Sequence, residues 1–193
     1  MTKTPKRTNR PEAVKTDLLD AAARILTERG IQAFTLDLVA RDAGVSKGGL
    51  LHHFANKKAL LDGLFMREME TFKNDILSSI QKDPVEAGRA ARAYIGLDRM
   101  ENEDEGTPAI LRHLLAVMLL EPQLCSEWTR YYWETIRSTG LFDNMTPSLL
   151  LSCLAADGLA IWDILGADII DKKNREQLQL LIEKLTNSSS TEK

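Results

Sequence analysis

Apolar residues recur along this chain at the three- and four-residue spacing of helices, and Pro, Gly and Asn interrupt the pattern often enough to divide it into nine segments. The pattern predicts an all-α protein of about nine helices without strands. The first helix is expected over residues 11–29, the second over 35–42 and the third over 46–53. A fourth begins at Asn56, whose side chain can cap it. It carries Leu60, Leu61, Leu64, Phe65, Met69, Phe72, Ile76 and Ile80 along one stripe until Asp83-Pro84 stops it. Five more are expected over 85–100, 108–121, 122–139, 147–166 and 172–186, three of them opened by proline.

The second and third segments are short, and their residues fit a helix-turn-helix over about 35–54. Thr35 and Ser46 are N-caps, Asp37 places a negative charge at the positive end of its helix, and Gly44 supplies the chain reversal. Leu38, Val39, Val45, Leu50 and Phe54 fall where two steeply crossing helices share a small core. Lys47, Gly48, Gly49, His52 and His53 are then expected to face outward, towards a DNA groove.

On these residues the stretch from about Val14 to Phe72 resembles the DNA-binding domain of the TetR family of bacterial transcriptional regulators. The matching residues are Leu18-Leu19-x-Ala21-Ala22, Gly30, Phe34-Thr35, Val39-Ala40, the run Ala43 to Gly48, and His53-Phe54-x-Asn56-Lys57-x-x-Leu60. Together they span roughly a third of the chain. Many family members carry Thr where this chain has Gly49, and Tyr where it has Leu51. The resemblance implies a homodimer on a near-palindromic operator and a helical body that takes a small-molecule effector. It also implies that Lys57 meets a phosphate and that His53 packs or touches one.

The domain organisation expected is a basic arm at 1–11, a DNA-binding domain at 12–72, a regulatory and dimerisation domain at 73–187 and a frayed tail at 188–193. Charge agrees with this division. Residues 1–58 hold eleven Lys and Arg against six Asp and Glu, a surplus of +5, whereas 59–193 hold fourteen against twenty-two, a deficit of −8. Lys3, Lys6, Arg7 and Arg10 form an arm that either stays solvated, or follows the phosphates or enters the minor groove. Phosphate contacts are further expected from Thr35, Ser46 and Lys57. Lys47 can reach a phosphate or a guanine edge, Leu51 a thymine methyl, and Gly48 and Gly49 allow close approach of the backbone.

The body offers two further patterns. Trp128, Tyr131 and Tyr132 lie on one arc of the seventh helix, and Met100, His113 and Met118 come from neighbouring helices. The set suits a pocket for a neutral or cationic apolar molecule, and equally an ordinary core. The last two helices carry Leu154, Gly158, Ile161, Trp162 and Leu165, then Leu178, Leu181, Ile182 and Leu185. These would form a four-helix dimer seam or cover the body of one monomer. No apolar run is long enough for a membrane span, and the polar, basic start has no signal core, so a cytoplasmic protein is expected. Cys125 and Cys153 suit small buried hydrophobes. The adjacent His52 and His53 diverge on a helix and lack a third ligand, so neither a metal nor a cofactor is expected. No catalytic motif is present, and an enzyme is not expected. The reading is a transcriptional repressor released by an effector; the alternative is a ligand-free DNA-bound adaptor that recruits a protein through its acidic body.

Overall fold

The computed structural model describes the backbone of residues 10–100, 108–120, 122–164 and 170–187, with all their side chains except those of 10, 97–100, 108–109, 111–112, 119–120, 122–123 and 163–164. Arg7, Leu165, the side chains of Arg10 and Met100, the acidic link at 101–106 and the tail at 188–193 therefore lie outside the described residues. Among the described residues the fold is all-helical, with nine helices and no strand. None of these helices is long and apolar enough to cross a membrane.

The chain divides into two compact units, residues 1–67 and 68–193. The first contains α1 (Arg10–Ala33), α2 (Leu36–Asp42), α3 (Lys47–His53) and the opening turns of α4 (Lys57–Lys82). Its core is Leu18, Ala22, Leu26, Phe34, Val39, Leu50, Phe54, Leu60 and Leu64, all buried. Thr35 accepts from the Leu38 amide, Ser46 from Gly49 and Asn56 from Ala59, so each of the three caps expected from sequence is made by the residue expected. Gly44, at φ +66, makes the reversal between α2 and α3 in a backbone region that side chains with a β-carbon disfavour. At Gly63 the reason for glycine is room: a β-carbon there would stand 2.7 Å from the Phe54 ring, so α4 packs flush against the end of α3.

Two helix ends differ from expectation. Regular α1 geometry is interrupted at Gly30, where the helix was expected to finish, but a further helical turn carries it to Ala33. In the second unit α5 (Arg89–Met100) starts at Arg89 instead of near residue 85. Pro84 and Gly88, at φ +74, break the backbone before it, and Arg92 gathers the freed carbonyls of Val85 and Ala87. A β-carbon on Gly88 would meet the Thr186 carbonyl at 2.8 Å, so this turn rests directly on the end of α9.

The second unit also contains α6 (Pro108–Leu120), α7 (Pro122–Ser138), α8 (Pro147–Ile164) and α9 (Lys172–Asn187). α8 packs on α5, α6 and α9, and α6 packs on α7. Ile76, Ala91, Tyr94, Ile95, Ile136, Leu149, Cys153, Ala156, Leu159 and Ile182 form its principal core.

Candidate nucleic-acid interface

The turn between α2 and α3 fixes which side of α3 is available. Leu50 and Phe54 point into the core, four residues apart, and the opposite side presents Lys47, Gly48, Leu51 and His52. Leu51 is 41 % exposed, an uncovered leucine in the middle of the helix that sequence places in the groove. Lys47 reaches across to both carboxylate oxygens of Asp37, at 3.0 and 3.1 Å, in a pair open to solvent. An exposed pair of this kind contributes at most about 1 kcal/mol and is readily exchanged for a phosphate.

Thr35 and Ser46 are exposed, and as caps they use only their lone pairs, accepting from Leu38 and Gly49. Each hydroxyl keeps its proton to donate outward.

Three expected positions need correction or refinement. Gly49 does not face outward: a β-carbon there would lie 2.9 Å from Val45 Cγ1, and its amide donates to Ser46, so it is fitted against the turn. His53 is half-buried, its ring edge-on to that of His52 at 5.5 Å between centroids. The Lys57 ammonium turns back onto the protein, 3.5 Å from the Ile31 carbonyl and 5.6 Å above the centroid of Phe34. The negative end of the α1 dipole and the face of an aromatic ring attract the same cation, which holds the side chain along the head.

In the body, the residues expected around a ligand separate. Trp128 is fully buried, whereas His113, Met118, Tyr131 and Tyr132 are half-buried. Thr129 donates to Met118 Sδ at 3.6 Å, which brings α6 and α7 together as expected. Tyr132 leads into a chain of two residues not singled out in the sequence, Tyr94 and, beyond it, Asp157. Its hydroxyl lies 3.1 Å from that of Tyr94, and Tyr94 donates to Asp157 Oδ1 at 2.6 Å. The available signal was Asp157 itself, the single charge in the apolar run from Leu149 to Trp162.

The expected dimer seam also separates. Leu154, Ile161 and Trp162 on α8 and Leu178 and Leu181 on α9 are exposed, joined by Leu150 and Leu151. Gly158 has open space above it, and Leu185 is half-buried. Ile182 is corrected: it is 5 % exposed and belongs to the core of its own chain. Ile182 lies only about 40° around α9 from Leu178 and about 100° from Leu181, so the edge of the core falls across the expected seam.

Comparison with known proteins agrees with both halves. Residues 18–64 match the family described as bacterial regulatory proteins, tetR family, and residues 88–187 match the tetracyclin repressor-like C-terminal domain. Among curated relatives, the transcriptional repressor KstR2 of Rhodococcus jostii (strain RHA1) is 34 % identical over 81 residues, which are 42 % of this chain and 37 % of that protein. Among solved structures, a transcriptional regulator from Rhodococcus sp. Rha1 superposes with a TM-score of 0.68 at 22 % identity, covering 90 % of this chain and 96 % of that one. The multidrug binding protein EbrR, solved with imidazole, superposes with a TM-score of 0.63 at 18 % identity over 96 % and 97 %. At such identities these two likenesses establish the fold alone. The C-terminal match by itself covers more than half of the chain, and with the helix-turn-helix in front of it this protein belongs to the TetR family of bacterial transcriptional regulators and is not an enzyme.

Proposed function

We propose that this regulator is a cytoplasmic repressor that binds a near-palindromic operator as a homodimer and is released by a small molecule held in its helical body. The observation that carries the DNA half is the uncovered face of α3, with Lys47, Gly48, Leu51 and His52 exposed beside the free hydroxyl protons of Thr35 and Ser46. In this reading the two hydroxyls and Lys47 hold phosphates, while Leu51 against a thymine methyl and His52 at a base edge provide sparse direct readout. Gly48 lets the helix approach closely. The arm with Arg7 and Arg10 adds minor-groove and phosphate contacts.

A head with one short recognition helix reads few base pairs, so specificity on a genome requires two heads related by a two-fold axis. The exposed stripe on α8 and α9 supplies a surface for that pairing. An effector then acts by binding one of two dimer states more tightly; coupling factors of about 5 to 150 are typical.

Selection from a random duplex library by the purified full chain, at near-physiological salt, tests the reading. Enrichment of a symmetric motif with half-sites about one helical turn apart is expected. Sequences no more enriched than with a Lys47→Ala, Leu51→Ala double variant would overturn it.

A further inference from the structure

Asp157 is the group in the body whose chemistry the fold leaves unanswered. It lies on α8, and its Oδ1 accepts from Tyr94, a buried residue of α5. Tyr94 has one hydroxyl proton and gives it to the carboxylate, so the 3.1 Å contact with Tyr132 on α7 must run the other way, Tyr132 donating to Tyr94. The result is a directed relay, Tyr132 to Tyr94 to Asp157, whose every donor points towards the carboxylate.

The relay leaves half of the carboxylate unused. Among the described residues, no donor reaches Asp157 Oδ2 and no basic side chain pairs with it. Every sealed polar side-chain atom among the described residues has a hydrogen-bond partner. Oδ2, having none, is therefore not fully sealed from solvent. Burial raises the Asp157 carboxyl itself above its ordinary value, with the hydrogen bond from Tyr94 opposing that shift, and the phenols and thiol around it carry no charge of their own near neutral pH. Burial pushes the Cys153 thiol and the Tyr132 phenol each up to about 12, and pushes Tyr94 higher still. Aromatic rings flank the two phenols: Phe72 stands edge-on to Tyr94 at 6.0 Å, and Trp133 edge-on to Tyr132 at 5.0 Å.

We propose that Asp157 anchors the effector, and that the effector is an organic cation with an apolar body, its charge set against Oδ2 and the phenol rings of Tyr94 and Tyr132. The inference rests on the effector reading above and names the class of molecule that the site selects. An anion would be repelled. A neutral apolar molecule would strip water from the carboxylate and return nothing to it. A cation supplies the countercharge that the protein withholds and gains from the electron-rich ring faces as well.

A matched pair of probes isolates the charge. Phenyltrimethylammonium and tert-butylbenzene have nearly the same shape and differ in one positive charge. Calorimetric titration of the full chain is expected to give at least tenfold tighter binding of the ammonium probe. Asp157→Asn should bring the two probes within about threefold of each other, whereas Asp157→Glu, which keeps the charge, should keep the preference. Near-ultraviolet circular dichroism checks that each variant is folded, and if Asp157→Asn is not, the pair of probes on the natural chain still decides. Equal affinities, tighter binding of tert-butylbenzene, or binding of neither probe at millimolar concentration overturns the proposal. If the neutral probe binds equally and releases a selected operator duplex, the effector reading stands and the cation assignment fails. If the cation binds through Asp157 without changing operator affinity, the site stands and the effector reading fails.

Discussion

Lys57 shows a side chain whose position is legible in the sequence while its contacts within the protein are not. Its position beside the cap of α4 is plain from Asn56, but the contact of its ammonium with the Ile31 carbonyl and Phe34 is not. Lys57→Ala is therefore expected to destabilise the chain by about 0.5–1 kcal/mol, the range of a partly exposed cation–π contact. It should leave the slope of operator affinity against salt nearly unchanged. Urea unfolding and a salt titration check the two halves, and a slope reduced by about 1 would return Lys57 to the phosphates. The caps and the inward pair Leu50 and Phe54 were legible because each depends on neighbours three or four residues away. The destination of the Lys57 ammonium was not, since it depends on Ile31 and Phe34, contributed by the preceding helix and its exit. Tyr94 and Asp157 were missed for the same reason: 63 residues separate them, and no local period relates α5 to α8.

At the scale of elements, the late start of α5 is the most informative departure. Three devices that periodicity does not register act there together: Pro84, the positive φ of Gly88, and a single arginine. Arg92 bonds Asp83 at 2.7 Å through Nε, takes the carbonyls of Val85 and Ala87, and reaches the Thr186 carbonyl and Asn187 Oδ1 at 3.3 Å. It is thus both the closure of the α4–α5 turn and a cation at the negative end of α9. Arg92→Ala should cost about 2–3 kcal/mol, the range of charge-assisted hydrogen bonds lost from a mostly buried site, measured as a lower urea midpoint. The hydrogen bond from Arg92 holds the Asp83 carboxyl below its ordinary value of 3.8. A depressed native value means that the folded state binds protons less readily than the unfolded chain. The stabilisation is therefore present above pH 3.8 and is lost as pH falls through the native value. Asp83→Asn is expected to flatten stability against pH below about 4 compared with the natural chain, which thermal unfolding across that range would register. The helices themselves were readable almost to the residue where a proline or an asparagine marks an end, as at Asn56, Pro122 and Pro147. They were misread where the stop signal is a tertiary contact, as with Gly88 against Thr186.

For the whole molecule, the question is what covers the outer face of α8 and α9. Leu154 at 59 % and Leu181 at 55 % exposure belong to an uncovered apolar stripe, the surface that the proposed homodimer would bury. Ile161→Glu is expected to shift the chain from dimer to monomer in sedimentation velocity and to lower affinity for a two-half-site operator at least tenfold. It should leave helicity by circular dichroism unchanged, because Ile161 lies outside the core. A dimer of unchanged stability would move the interface elsewhere. The division of charge, +5 over residues 1–58 and −8 over 59–193, was legible in the sequence because it needs no geometry. The width of the seam was not, because Ile182 and Leu181 are neighbours in sequence and differ only in which side of α9 the core occupies.

If the proposed homodimer pairs through this stripe, the stripe also sets how the regulator responds to its own abundance. If only paired chains grip the operator, occupancy at low expression rises with the square of the number of chains, so halving synthesis removes about three quarters of the bound complexes. A gene under such control would switch within a narrow range of supply, and the leucines of α8 and α9 would determine where that range lies.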